Sequence, residues 1–102
     1  MSSFKDKYKF LNDFKGKRVF ITGHTGFKGS WLAYILYQYG AIVKGYALQP
    51  EDQDCHYNQL GLSNLIDSEY CDITDKESLV NSLVSFQPEY VFHLAAQASF
   101  II

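Results

Sequence analysis

The feature that most constrains this chain is a set of three glycines, Gly23, Gly26 and Gly29, spaced three residues apart. A short apolar run at residues 19–21 precedes them, and a segment with large apolar residues at helical spacing follows. A buried strand, a glycine-rich turn and a helix in this order predict a turn that binds the pyrophosphate of a dinucleotide. The alternative is an ordinary glycine-rich turn between a strand and a helix.

Each glycine has a separate predicted role. Gly23 ends the strand where the chain turns sharply, and glycine tolerates a positive φ. Gly26 lets the backbone approach a phosphate, and Gly29 lets the helix pack closely on the strand. The unpaired N–H groups and the dipole of the helix N-terminus favour an anion there. The predicted binding segment consists of these three glycines and the residues between them, which are His24, Thr25, Phe27 and Lys28.

Strand-like and helix-like segments alternate along the chain, which predicts an α/β fold with a parallel sheet. We expect a Rossmann-like sheet with flanking helices, four strands in the order 3-2-1-4, and truncation after the fourth strand. The expected strands are residues 17–22, 41–47, 68–71 and 90–96. The first helix should bury an apolar face and end at Gly40. This predicted face comprises Phe27, Trp31, Leu32, Ile35, Leu36 and Tyr39.

Three smaller features complete the predicted secondary structure. Residues 56–62 are expected to form a short helix, and residues 51–54 to lie in an acidic loop. A later helix should begin at a capping box, with Thr74 as N-cap and Glu77 as its partner. Its apolar face would comprise Leu79, Val80, Leu83 and Val84, opposite Ser78, Asn81, Ser82 and Ser85.

Composition excludes several classes of function. The chain has 102 residues and a net charge of −2, which indicate one domain and no nucleic-acid partner. Its two cysteines do not form a metal-ligand pattern, although Cys55 is next to His56, so no metal is expected. With no apolar stretch of membrane-spanning length and no signal peptide, we expect no membrane partner and a cytoplasmic location. The unpaired edge of the fourth strand predicts self-association, that is, a homo-oligomer.

Four segments together resemble the N-terminal part of the CDP-glucose 4,6-dehydratases, in the extended short-chain dehydrogenase/reductase family. They are residues 22–31, 45–48, 72–73 and 86–97. The resemblance implies NAD as cofactor, and a nucleotide sugar as substrate of the complete enzyme only. It also implies that Asp72 and Ile73 contact the adenine and that the small residues after the fourth strand meet the cofactor. The strand-end residues are Leu94, Ala95 and Ala96.

The chain departs from this family in two respects. None of its eight tyrosines is followed four residues later by lysine, so no catalytic residue is assigned. The end of the second strand carries Ala47, Leu48 and Gln49 where NAD-binding folds usually place an acidic residue. We therefore predict an N-terminal extension at residues 1–16 and a partial NAD-binding domain at residues 17–102. The alternatives are an inactive nucleotide-binding relic and part of a related enzyme such as a sugar epimerase.

Three single residues have competing interpretations. Lys28 either neutralises phosphate charge or is solvated on the first helical turn. His24 either hydrogen-bonds a phosphate or ribose, or occupies a plain loop position. His93, among apolar neighbours, is expected to be a hydrogen-bonded core histidine.

Overall fold

The computed structural model describes residues 9–50 and 55–95, which contain four strands and four α-helices. A short 3-10 helix, Lys9–Phe14, precedes them. The strands are β1 (Arg18–Thr22), β2 (Ile42–Ala47), β3 (Asp67–Tyr70) and β4 (Tyr90–His93). The helices are α1 (Phe27–Gln38), α2 (His56–Gln59), α3 (Leu62–Leu65) and α4 (Lys76–Phe86).

All strand pairs are parallel and the order is β3-β2-β1-β4, as the sequence predicted. Thr22, the last residue of β1, is in register with Tyr46 on one side and His93 on the other. The carboxyl ends of β1, β2 and β4 therefore lie side by side. Because β2 lies on one side of β1 and β4 on the other, the strand order reverses at this edge, which is the switch point where doubly wound folds bind ligands.

Alternate residues of β1 divide the interior into two layers. Val19 and Ile21 face α1 and join the main apolar core, whereas Phe20 lies on the other side against Phe86 of α4. All three side chains are fully buried, as expected for a central parallel strand. The main core consists of Leu11, Val19, Ile21, Ala33, Leu36, Ala41, Val43, Tyr57, Leu62 and Ile66.

The predicted apolar face of α1 is right only in part: Leu36 is buried and Leu32, Ile35 and Tyr39 pack against the core, but Phe27 and Trp31 are exposed. Its buried residues are Gly29, Ser30, Ala33 and Leu36, whereas the side chain of Phe27 is 65% exposed. The prediction followed side-chain size, but the first turn of α1 lies so close to the Gly23 carbonyl that Gly29 and Ser30 face the interior there, in place of Phe27 and Trp31. The helix ends before Gly40, whose φ of 89° lets the chain turn into β2.

The predicted start of α4 is also wrong. Asp75 is the N-cap, and its carboxylate accepts the N–H of Ser78 at 3.1 Å. Thr74 instead donates its N–H and its hydroxyl to Asp72, at 2.9 and 2.8 Å. An aspartate in a turn competes well for these donors, which removes Thr74 from the cap.

The two faces of α4 also differ in part from the prediction. Val80 and Val84 are 54% and 65% exposed, whereas Ser82 is buried and donates its hydroxyl to Glu69 at 2.7 Å. The Ser78 hydroxyl accepts from Tyr46 at 3.0 Å. Polar side chains of β2 and β3 thus bring Ser78 and Ser82 inward, whereas Asn81 and Ser85 are exposed and Leu79 and Leu83 half-buried, in line with the prediction.

Other differences concern element ends. The single helix predicted at residues 56–62 is two short helices, α2 and α3, separated by Gly61 with a φ of 68°. β3 begins and ends one residue earlier than predicted. β4 ends at His93, so that Leu94 and Ala95 follow this strand rather than belong to it. The predicted acidic loop at 51–54 and Ala96 lie outside the described residues. The division at residue 16 stays a prediction, although Leu11 of the 3-10 helix packs in the core.

In the described part of the chain, no helix combines the length and the apolar character needed to cross a membrane.

Candidate functional site

The candidate site is the segment that joins β1 to α1, here called the glycine loop (residues 23–26). Gly23 has a φ of 82°, and its N–H donates to the carbonyl of Tyr46 at 3.0 Å. The Thr25 hydroxyl donates to the carbonyl of Leu48 at 3.1 Å. Both bonds fasten the loop to β2 and the residue after it, at the carboxyl edge of the sheet.

Packing within the protein requires two of the three regularly spaced glycines, Gly23 in the loop and Gly29 in α1. A Cβ on Gly23 would lie 2.6 Å from the Leu94 carbonyl carbon and from the Ala95 nitrogen. A Cβ on Gly29 would overlap the Gly23 carbonyl oxygen. The backbone of Gly23 therefore lies directly against the end of β4. The first turn of α1 lies directly against the Gly23 carbonyl.

Gly26 is different. Its φ of −79° and ψ of 172° suit any residue, and an added Cβ would meet only the Gly23 carbonyl oxygen, at an ordinary 3.6 Å. Each of the other six glycines has either a positive φ or too little room for a Cβ. Nothing within the described fold therefore requires glycine at position 26. Space is left at the N-cap of α1 for something outside the chain.

The N-terminus of α1 begins at Phe27 directly after Gly26, and no side chain caps it. The N–H groups of Phe27, Lys28 and Gly29 belong to the first helical turn and have no acceptor within an α-helix. Together with the helix dipole they favour an anion at this position. The side chain of Lys28 is exposed on the same turn.

His24 is fully buried beneath the loop, so its side chain does not face the open side of the site. Its ring covers the backbone of Gly45, where it leaves no room for a Cβ, and its Nε2 lies 3.0 Å from Ser68 Oγ. Burial lowers the pKa of His24 from 6.5 to about 4, which keeps the imidazole neutral. Any contact of His24 with a ligand in front of the loop would come from its main chain.

Thr22 joins β1 to the end of β4. Its Oγ1 accepts the N–H groups of Leu94 and Ala95 at 3.1 and 3.4 Å and lies 2.7 Å from His93 Nδ1. The predicted hydrogen bonding of His93 is thus present, but its predicted core position is wrong, since the His93 side chain is exposed where β4 ends. With two N–H groups accepted, the Thr22 hydroxyl directs its own proton towards His93.

The remaining predicted site residues lie along the same edge of the sheet. Asp72 is exposed beyond the end of β3, and hydrogen bonds from Thr74 lower the pKa of its carboxyl. Ile73 beside it is half-buried. Leu94 and Ala95 lie against Gly23, so the structure brings the loop and the end of β4 together. Asp72 and Ile73 are farther away, beyond β2.

Sequence reasoning missed Thr22, Gly45 and Ser68 as parts of the site. Gly45 did carry a signal, because an isolated glycine inside a strand indicates close approach of another group. Thr22 and Ser68 carried none, since a hydroxyl residue on a strand is ordinary. Among the described residues no three His, Cys, Asp or Glu side chains come together as a metal site.

Comparisons with known proteins agree with this fold. A family model described as GDP-mannose 4,6 dehydratase matches residues 20–101. The chain belongs to this family. The CDP-glucose 4,6-dehydratase of Salmonella typhimurium is 54% identical over 86 residues, which are 84% of this chain and 24% of that enzyme. The predicted resemblance to the 4,6-dehydratases is confirmed.

Solved structures show the same fold. An epimerase from Methanothermobacter thermautotrophicus matches with a TM-score of 0.74 at 29% identity, over 94% of this chain and 27% of that one. An NADH-dependent reductase complexed with NAD matches with a TM-score of 0.61 at 28% identity, over 81% and 37%. The chain thus spans about a quarter of the length of its dehydratase and epimerase relatives.

Proposed function

We propose that this chain is the NAD-binding region of a nucleotide-sugar 4,6-dehydratase that acts on CDP-glucose. The observation that carries the proposal is Gly26, the one glycine that neither the protein's own packing nor a positive φ requires. It lies at the uncapped N-terminus of α1, where a pyrophosphate finds both unpaired N–H groups and room to approach.

The residues present fit a dinucleotide in this position. The N–H groups of Phe27, Lys28 and Gly29 would bind the pyrophosphate, with Gly26 leaving space for it. The family resemblance assigns the adenine to Asp72 and Ile73, and the nicotinamide side to the strand-end residues 94–96. When bound, NAD supplies a site that accepts a hydride from the sugar and later returns it. This chain's own part is to bind and orient the cofactor.

The substrate class follows from the degree of similarity. Identity to the CDP-glucose 4,6-dehydratase is 54%, against 29% to the epimerase. A nucleotide-sugar epimerase region is the second candidate, favoured by the TM-score of 0.74. Both use the same cofactor loop, and they differ in whether water is lost from the sugar.

The cofactor assignment is tested by titrating the chain with ADP-ribose and with NAD. We expect the parent to bind both and Gly26→Val to lose at least tenfold in affinity, because the branched side chain occupies phosphate space. The melting temperature should fall only slightly, since the added Cβ meets one atom at 3.6 Å and valine is a somewhat poorer N-cap than glycine. Gln38→Ala, at the exposed far end of α1, is the matched control. Equal affinity of Gly26→Val and the parent would show that the loop does not bind pyrophosphate.

The substrate assignment needs a complete enzyme. In a chimera, this chain replaces the corresponding region of the Salmonella CDP-glucose 4,6-dehydratase. We expect the chimera to convert CDP-glucose to the 4-keto-6-deoxy sugar, and the same chimera with Gly26→Val to be inactive. A chimera that folds and binds NAD but does not convert CDP-glucose, beside an active chimera made in the same way with the Methanothermobacter epimerase, would favour the second candidate.

A further inference from the structure

We infer that His24 is a positioning residue, whose buried side chain holds the glycine loop in the conformation that binds pyrophosphate. The inference rests on the proposed function, which assigns the pyrophosphate to this loop. It concerns a side chain that itself does not reach the ligand, since His24 is fully buried.

Successive residues of the loop are anchored to different strands. The N–H of Gly23 and the hydroxyl of Thr25 bond to carbonyls of Tyr46 and Leu48, at the end of β2. The His24 side chain between them passes over β2 and pairs with Ser68 of β3 at 3.0 Å. The loop is thereby held at three points along two strands, immediately before Gly26 and the first turn of α1.

The anchor on β3 is itself fixed. The Ser68 hydroxyl also pairs with the Tyr57 hydroxyl at 2.8 Å, and Tyr57 pairs in turn with Tyr70 at 2.6 Å. Burial raises the pKa of the Tyr57 hydroxyl, so it remains protonated. The Tyr57 ring also meets the His24 imidazole edge-on, with centroids 5.2 Å apart. These contacts leave the imidazole little freedom to rotate.

A histidine is not what packing alone would favour at this position. Its Nδ1 is the one buried side-chain N or O atom of the described residues with no hydrogen-bond partner, and an unpaired buried polar atom destabilises a fold. A phenylalanine would keep an aromatic ring without this unpaired atom, although its ring is somewhat larger. The ring also requires glycine at position 45 in the middle of β2, where glycine lowers strand stability. What the histidine provides in return is the directional bond to Ser68.

The test compares stability with affinity in the 102-residue chain, using ADP-ribose as the probe. His24→Phe keeps the ring and removes the polar bond, and Ser68→Ala removes the same bond from the other side. We expect roughly tenfold weaker binding for both variants. The melting temperature of His24→Phe should stay close to that of the parent, because removal of the unpaired Nδ1 offsets the lost hydrogen bond and the somewhat larger ring. Ser85→Ala, an exposed serine on α4, is the control and should bind like the parent.

A purely structural role would make affinity and stability fall together, whereas positioning separates them. Parent-like affinity in both His24→Phe and Ser68→Ala would overturn the inference while leaving the proposed function intact, provided that Gly26→Val abolishes binding. If His24→Phe does not fold, Ser68→Ala decides alone, by the same criterion. Absence of ADP-ribose binding by the parent would overturn the proposed function and this inference with it.

Discussion

Acidification should destabilise the chain well above the pH at which its carboxylates titrate. The buried imidazole of His24 has a pKa of about 4 in the folded chain, against 6.5 for an ordinary histidine. Below pH 6.5 the unfolded chain therefore binds a proton that the folded chain does not, and stability is lost as the pH falls towards 4. From these two values, the free energy of unfolding should drop by about 2 kcal/mol between pH 7 and pH 5.

The assay is urea unfolding at pH 7, 6 and 5, followed by circular dichroism, for the parent and His24→Phe. The pKa values of Asp72 and Glu89 are lowered from 3.8 and 4.5, so their contributions are lost only below this range. The other two histidines are the same in both proteins. We expect the loss of about 2 kcal/mol in the parent and little of it in His24→Phe. Equal pH dependence in the two proteins would refute the reasoning, because the titrating group would then lie elsewhere.

Three further predictions follow from the geometry. Gly29→Ala should lower the free energy of unfolding by about 2–3 kcal/mol, because its Cβ overlaps the Gly23 carbonyl. Gly26→Ala should lower it by less than about 1 kcal/mol. Similar losses for the two variants in denaturant unfolding would contradict this. Asp75→Ala should cost about 1 kcal/mol and Thr74→Ala clearly less, and the reverse order would restore Thr74 as the cap. The chain should self-associate through the edge of the sheet at β4, where the Tyr90 and Val91 side chains are 41% and 54% exposed, and changing Val91 to lysine should give a monomer in light scattering across a dilution series. A parent that is monomeric at high concentration would contradict the last prediction.

The sheet and its strand order were predictable because they depend on features that are local in sequence. Few arrangements are open to alternating strands and helices once three features are known. These are apolar runs such as residues 19–21, glycines at the turns, and the right-handed sense of the crossovers. The buried faces of α1 and α4 were not predictable in the same way. Side-chain size pointed to Phe27 and Val84, but helix-to-sheet distance and polar partners on neighbouring strands decide which side is buried. Ser82, for example, turns inward because Glu69 of β3 accepts its hydroxyl.

The site was predictable to a similar degree, and for the same reason. The positions of the loop glycines followed from their spacing, but their separate roles needed the neighbouring atoms. His24 contacts Gly45 and Ser68, which follow it by 21 and 44 positions in the sequence. A single sequence contains no sign of such a pairing beyond an isolated glycine in a strand.

The positions where this chain departs from its own packing requirements lie close together. Neither packing nor backbone conformation requires a glycine at position 26, and His24 has a buried side chain with an unpaired nitrogen. Sequences that fold well are consistent from residue to residue, and exceptions are expected where function requires them. Both exceptions fall within three residues at the N-terminus of α1, one in front of the loop and one beneath it. A ligand in front and an anchor beneath explain the two together, which is why the same ADP-ribose titration tests both.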